Sequence, residues 1–573
     1  MKRSLFVLVL ITVAVAACGK DPDVEKQRLL ASGNDYVTQG KLSEATIEFR
    51  KALQIDSRFG EAHYRLGLAY DGLRDRPSAM REFLLASDLM PDRDDVQLKA
   101  GQSLLFARRF EEARKIGNRM VDRNPRSVDG QLLLANALAG MNQLDAAAAQ
   151  VEEAIQAEPA RDNAYTNMAA IQLAMGNPAK AETAFRNALQ IAPRSIEARV
   201  GLANMLWAQG RLADAEQLLK EAIGIEPTGS LANRTLATFY LSTGRIADAE
   251  APLKVVAEAH KDAVAPRLAL ADYYLVSKRE NEGIRLLESV AARPDGLAPA
   301  YARLADYEYR TKRQPSAHAR VDKLMTAEPK NPLGFLMKAA FLTTEGKLDE
   351  ALAKAKAAAS ADPRQPRAQY AVGMIELSRR NPEAAAAAFA EAVKLRPRFG
   401  VASLELAKLR LQEGRGQEAV ERAADAVRDL PASPEARYVL VRALMHGGER
   451  ERAQRELQPL LAQAPGLARV QTLAGLLAMQ AGNRDAGRKA FEQALRLEPG
   501  EAEALSALVG LDLEAGRAAD ARRRVEARVA SAPKDAASAA MAARLYETLG
   551  LAKEAEAAWQ RILQLNPNSV SAY

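Results

Sequence analysis

"GNDYVTQGKLSEATIEFRKALQID" (residues 33–56) and "GLAYDGLRDRPSAMREFLLASDLMP" (67–91) align with each other at an offset of 34 residues. The same offset carries on along the chain. Repeats can be started at 26, 60, 94 and onward to 536, giving sixteen units that end at residue 569 without an insertion or deletion. A fixed period of this length marks a repeat architecture, in which each unit is one small supersecondary element.

The aligned positions carry the physics. Position 8 is Gly or Ala in fourteen units, position 20 is Ala in fourteen and Gly in two, and position 32 is Pro in thirteen. Position 15 is Gly in ten, among them Gly40, Gly176, Gly210 and Gly550. Between these positions apolar residues recur at helical spacing, and "ALQIAP" (188–193) and "ALRLEP" (494–499) each end a helix with a proline just beyond it. The glycine at position 15 sits where the chain must leave one helix and enter the next, and glycine tolerates positive φ there. Small residues at positions 8 and 20 let two antiparallel helices approach closely. Each unit is therefore a helix pair, with a first helix (A) of about 13 residues and a slightly longer second one (B).

These positions resemble the tetratricopeptide repeat: a bulky residue, Leu, Gly or Ala and Tyr in helix A, then Ala, Phe and Ala in helix B, then Pro. Unit 5 reads Tyr165, Met168, Ala169, Ala181, Phe185, Ala188 and Pro193. The resemblance implies an all-α fold, a right-handed α-solenoid superhelix of sixteen helix pairs over 26–569, with A helices lining a concave face. Each pair leaves apolar surface that only its neighbours bury, so stability should be close to a nearest-neighbour sum. Two places should depart from uniformity. Around 260–315 the proline position reads Lys261 and then Asp295, with Pro294 displaced by one, so this stretch is expected to be a softer joint. Pro252 and Pro459 fall inside B helices, where each removes a backbone hydrogen bond and should kink its helix.

The amino-terminal end has a different design. Lys2 and Arg3 precede an apolar run from Leu5 to Ala17, and the chain's one cysteine follows as Cys18. That is the layout of a secretory signal peptide, and the run is shorter than the roughly 20 residues a spanning helix needs. Val15-Ala16-Ala17-Cys18 resembles the lipobox of bacterial lipoproteins. The resemblance implies removal of residues 1–17, acylation of Cys18, and a short tether over 18–25. Gly19 in place of Asp leans toward the outer membrane, facing the periplasm. Residues 570–573, "VSAY", read as the start of a further helix.

Composition narrows the function. The whole chain carries net +7, and losing Lys2 and Arg3 with residues 1–17 leaves +5, spread through interleaved charges. No electrostatic footprint for nucleic acid results. One cysteine cannot form a disulfide within the chain. The four histidines, His63, His260, His318 and His446, occupy positions 4, 31, 21 and 13 of different repeats, and neither a metal-ligand spacing nor a phosphate loop occurs. No catalysis and no cofactor is expected. The sequon Asn233-Arg-Thr235 lies inside an A helix and carries little weight.

In the family it resembles, positions 2, 5, 6, 9, 12 and 13 of helix A tend to face the groove. Asparagine there suits an extended peptide, because one amide both donates and accepts. Here these positions supply Asn136, Asn167, Asn204, Trp207, Arg234, Thr238, Asp272 and Tyr309, and units 4–7 form the candidate groove. Asn136 and Asn167 match two asparagines of the carboxylate clamp of chaperone-binding relatives, but its three cationic positions fall on Leu132, Glu197 and Gly201. A chaperone-type C-terminal tail is therefore not the expected ligand. Aromatic residues with polar neighbours suit protein partners, although Trp207 and the tyrosines could instead pack between adjacent A helices.

The leading expectation is a lipid-anchored scaffold that binds an envelope protein or extended peptide in its groove. A lipobox followed by a long array resembles the tetratricopeptide lipoproteins of exopolysaccharide export and PEP-CTERM systems. Two alternatives belong to other classes. Tyr309, Tyr370 and Tyr438 could stack on sugars in a carbohydrate- or peptidoglycan-binding module, and the array could be the repeat portion of a longer peptide glycosyltransferase-like protein.

Overall fold

The computed structural model describes residues 21–566. The signal peptide, Cys18 and residues 570–573 lie outside the described residues. Those described fold into thirty-two α-helices and one 3-10 segment, with no strand. They fall in pairs that keep the sequence period. Helix A begins at the first position of its repeat in Gly60–Gly72, Asp94–Phe106, Val128–Gly140 and most of the others, and is 13 residues long. Helix B begins at position 17 and is 14 residues long, as in Leu144–Ala157 and Pro178–Ile191. No described helix is long and apolar enough to cross a membrane. Within each of its two compact units one pair packs on the next, which makes an α-solenoid of helix pairs.

The chain divides into two compact units, residues 1–283 and 284–573. The boundary falls within 260–315. Local geometry changes nearby: helix B of repeat 8 (Glu280–Ala291) stops two residues short of the common length, and helix A of repeat 9 (Leu297–Arg310) begins one residue early.

One turn is built sixteen times. At position 15 every repeat is left-handed, with φ between 58° and 79°, whether the residue is one of the ten glycines or one of Arg74, Arg108, Asn142, Lys278, Lys312 and Arg380. The next residue's N–H then reaches back to the carbonyl of position 11, as in Lys41 to Tyr36 (2.9 Å), Arg211 to Leu206 (2.9 Å) and Arg517 to Asp512 (2.7 Å). This closure satisfies carbonyls that the end of helix A would leave bare. A side chain in the left-handed region costs about 1–2 kcal/mol, partly offset by glycine's larger unfolded entropy. Arg380→Gly should therefore raise stability by about 0.5–1 kcal/mol, and Gly414→Ala should lower it by a similar amount. Urea midpoints of the two variants check this.

Volume is balanced across the pair in several repeats. In repeats 1, 2, 11 and 14 a glycine at position 8 faces a buried phenylalanine at position 24: Gly33 with Phe49, Gly67 with Phe83, Gly373 with Phe389 and Gly475 with Phe491. A Cβ on any of these glycines would collide with that ring. In repeats 6, 7 and 10, position 8 is Ala203, Ala237 and Ala339, and position 24 shrinks to Leu219, Leu253 and Ala355. Repeat 3 has glycine at both places, Gly101 and Gly117; there Leu133 of the next repeat fills the space beside Gly101, and the Leu134 backbone closes on Gly117.

Position 4 holds a second recurring device, invisible in the period itself. A polar side chain there donates to the loop that leads into its own helix. Gln131 Nε2 reaches Pro125 O at 2.7 Å, Asn233 Nδ2 reaches Pro227 O at 2.9 Å, and Gln471 Nε2 reaches Pro465 O at 3.0 Å. His63 Nε2 lies 3.1 Å from Ser57 O in the same way. A buried loop carbonyl needs such a partner. Asn233 is 2% exposed and bonded, so its sequon is closed to modification in the folded chain.

Two expectations change. The tether was read through residue 25, but helix A of repeat 1 runs from Pro22 to Thr38. Asp21 caps it by accepting from the Asp23 N–H (2.9 Å), proline occupies its first position, and Asp23 and Glu25 favour its positive end. At the two helix prolines the outcomes differ. Helix B of repeat 7 opens as a 3-10 turn, Ile246–Ala249, before Glu250–Ala259, which places Pro252 in the first α-helical turn, where a missing N–H costs little. Helix B of repeat 13, Arg450–Gln463, carries Pro459 without interruption.

Candidate functional site

The A helices of repeats 5–7 present one exposed strip, because their other faces are taken by the paired B helix and the neighbouring repeats. In repeat 7 (Ser230–Ser242) the strip is Leu231, Arg234, Thr238 and Leu241, at positions 2, 5, 9 and 12. In repeat 6 (Ile196–Ala208) it is Glu197, Asn204 and Ala208. In repeat 5 (Asp162–Ala174) it includes Asn163, Ala170 and Leu173. Repeat 4 is more closed: Leu132, at position 5, is buried, and Asn136 is half-buried.

The residues expected from sequence have distinct environments. The side-chain amides of Asn136 and Asn204 form no hydrogen bond with other described residues, so both can serve a ligand. Asn167 is committed in part, its Nδ2 donating to Asn163 O at 2.8 Å, which leaves its carbonyl oxygen to accept. Thr238 Oγ1 donates to Arg234 O within the helix (2.9 Å), and the Arg234 side chain is exposed. Trp207 packs edge-on against Phe239 of the next A helix at 5.4 Å, so much of its ring serves the repeat interface. Asp272 is half-buried on helix A of repeat 8 (Val264–Val276) and already engaged by a neighbouring group.

Tyr309 belongs to the second unit. Its ring lies flat on Phe341 (4.0 Å, 5°), and its hydroxyl donates to Phe341 O at 3.1 Å. Tyr370 packs against Phe389 and Phe399 at 5.6 and 5.8 Å. Tyr438 lies under the Arg469 guanidinium at 4.9 Å. All three rings have protein partners. Among the described residues no cluster could hold a metal ion.

Sequence reading missed a cavity of about 440 Å3 between repeats 2 and 3. Phe106, 65% exposed at position 13, forms one wall, and the Arg76 guanidinium stacks on its ring at 3.9 Å. Lys99 and Gln102, at positions 6 and 9, add polar groups to the same lining. A phenylalanine at a solvent-facing position was the available signal.

Comparison with known families meets this geometry directly. Models described as tetratricopeptide repeats match residues 98–164, 172–228, 206–273, 344–398, 410–477 and 478–545, and one described as a TPR repeat matches 33–72. The chain belongs to the tetratricopeptide repeat family. The matches beginning at 172, 206, 410 and 478 are separated by whole multiples of 34 residues, the register of the helix pairs. As a member of this family the chain is a protein-interaction scaffold. No curated protein matches the sequence. Among solved structures, the APC/C hetero-tetramer Cut9–Hcn1 is 15% identical, with 85% of this chain and 97% of that one covered and a TM-score of 0.34. Naa15/Naa10 bound to HypK is 15% identical, with 94% of each chain covered and a TM-score of 0.35. Pseudomonas aeruginosa pilF is 21% identical, with 37% and 96% covered and a TM-score of 0.33. At these scores the likenesses carry no argument about ligands.

Proposed function

We propose that this tetratricopeptide repeat protein is a non-enzymatic, lipid-anchored scaffold of the bacterial cell envelope, probing the periplasm from the outer membrane and holding an extended segment of another envelope protein along the A helices of repeats 4–7. The observation that carries the groove is the pair of uncommitted amides, Asn136 and Asn204, with Arg234 and Thr238 exposed further along the array. A backbone in extended form offers alternating N–H and C=O groups, which a row of amides can meet from one side. The lipobox Val15-Ala16-Ala17-Cys18 supports the anchor. Two acyl chains hold a protein on a membrane where one is marginal, and anchoring raises the effective concentration toward membrane partners. The order of lipobox and long array supports a place in exopolysaccharide export or envelope assembly.

A photo-crosslinking residue at Asn136 or Asn204 in living cells should capture one envelope protein, identified by mass spectrometry. The same residue at Asn34, in repeat 1, should not. Equal capture at all three positions, or none, would remove the groove assignment. Separately, Cys18→Ser should abolish incorporation of labelled palmitate and move the protein from the membrane to the aqueous fraction. An unchanged membrane fraction would remove the lipid anchor.

A further inference from the structure

A smaller cavity of about 180 Å3 lies between repeats 7 and 8, and its lining is unusual in where it comes from. Most of it belongs to those two repeats, but Arg74 belongs to repeat 2, five repeats earlier. Arg74 occupies the left-handed turn position with φ 62°, where glycine would close the turn at lower cost, so the turn gives no reason for an arginine.

Charge is the second unusual feature. Arg74 and Arg234 both line the cavity together with His260, whose Nε2 is 2.7 Å from Ser230 Oγ, and no carboxylate lines it. Neither arginine forms an ion pair with another described residue. The arginines one position after the turn in repeats 6 and 7 are paired, Arg211 with Asp214 (2.7 Å) and Glu182 (3.0 Å), and Arg245 with Asp248 (2.7 Å) and Glu216. Two arginines lining one cavity with no carboxylate beside them offer an anion a pair of charged donors. The lining also includes the apolar Leu253, Val256 and Pro266. A small cavity lined by both apolar and polar side chains suits a small molecule, the polar groups fixing its orientation.

We propose that this cavity binds an aliphatic carboxylate. Its two oxygens are shared by the guanidiniums of Arg74 and Arg234, whose planar donors match carboxylate geometry, and its hydrocarbon body rests on Leu253, Val256 and Pro266. Bound there, the ligand ties repeat 2 to repeats 7 and 8. The site shares Arg234 with the proposed groove, whereas Arg74 belongs to the cavity alone, so the Arg74 variant separates the two readings.

Titration of the full-length protein with isovalerate, followed calorimetrically and by thermal unfolding, tests it. Isovalerate should bind and raise the unfolding midpoint. Arg234→Gln should weaken binding at least tenfold. Arg74→Gly should do the same while leaving the unliganded protein at least as stable, because glycine suits that turn, and this separates lost binding from lost folding. N-acetyl-Gly-Leu carries the same group at a peptide terminus: tighter binding than isovalerate would identify a protein tail as the source, and weaker binding a free acid. Equal binding of isovaleramide, tighter binding of inorganic phosphate, or isovalerate affinity unchanged in both variants would overturn the proposal.

Discussion

Replacing Asp512 with alanine is expected to destabilise repeats 14 and 15 by about 3 kcal/mol. Asp512 is fully buried on helix A of repeat 15 (Ala502–Glu514). It accepts from Arg488 Nη2 and Arg524 Nε, each at 2.8 Å, and Arg517 Nε lies 3.4 Å away. Three B-helix and turn cations thus converge on one carboxylate. Burial alone would push its pKa up, but the hydrogen bonds from Arg488 and Arg524 outweigh that and hold it below the usual carboxylate value. Alanine would leave the arginines gathered around an apolar hole, at the low end of the cost of breaking a buried pair because their heads can still reach water. Since stability in an array is local, native-state hydrogen exchange of repeats 14 and 15 is the measurement, alongside urea unfolding. Loss of protection confined to these repeats is expected; a change below 1 kcal/mol would show that the cluster is not structural. The pH dependence has a fixed sign. A depressed folded pKa means the stabilisation is fully present above the unfolded value of about 4 and is lost as pH falls through the lower folded value.

The second large effect comes from the facing pair Gly373 and Phe389. Phe389→Ala should cost about 4 kcal/mol, since the ring is fully buried and the helices around it cannot close completely on the space. Gly373→Ala should also destabilise, because its Cβ meets that same ring. The informative variant combines Gly373→Ala with Phe389→Leu, the pairing that repeats 6 and 7 already use in Ala203 with Leu219 and Ala237 with Leu253. Its loss should be smaller than the sum of the single losses by about 1 kcal/mol or more. Additive losses in urea melts would mean that the two positions do not share one volume.

Much of this architecture could be read from the chain because its determinants are local and recur. Helix A was expected at about 13 residues and helix B slightly longer; the observed 13 and 14 follow from a left-handed turn, most often glycine, and a closing proline in most repeats. What escaped notice depends on contacts that the period does not display. The Asp512 cluster draws on two repeats and replaces the tyrosine that position 11 holds in Tyr70 and Tyr240, so it reads in sequence as one acidic residue among many. The polar residue at position 4 changes among His, Gln and Asn, and only the shared loop carbonyl unites them. Pro252 announced a disturbance, but whether it appears as a kink or as a 3-10 start depends on how its own helix begins. In the candidate groove, position within helix A located Arg234 and Thr238 on an exposed strip, whereas Trp207 and Tyr309 took up packing duties against Phe239 and Phe341. Arg74 could not be assigned to its cavity by any local rule, since its neighbours there are more than 150 residues away.

The sixteenfold turn also bears on how such a chain can change in length. Every repeat makes its A-to-B turn with the same backbone geometry, so an in-frame cut at two equivalent turns joins a native end of helix A to a native start of helix B. Whole repeats can therefore be removed or duplicated with little new loop to design, and reach becomes a quantity adjusted in steps of one helix pair. A deletion of any other length would rotate the following helix so that its apolar stripe no longer meets its neighbour. The repeating turn thus works as a splice point as well as a cap.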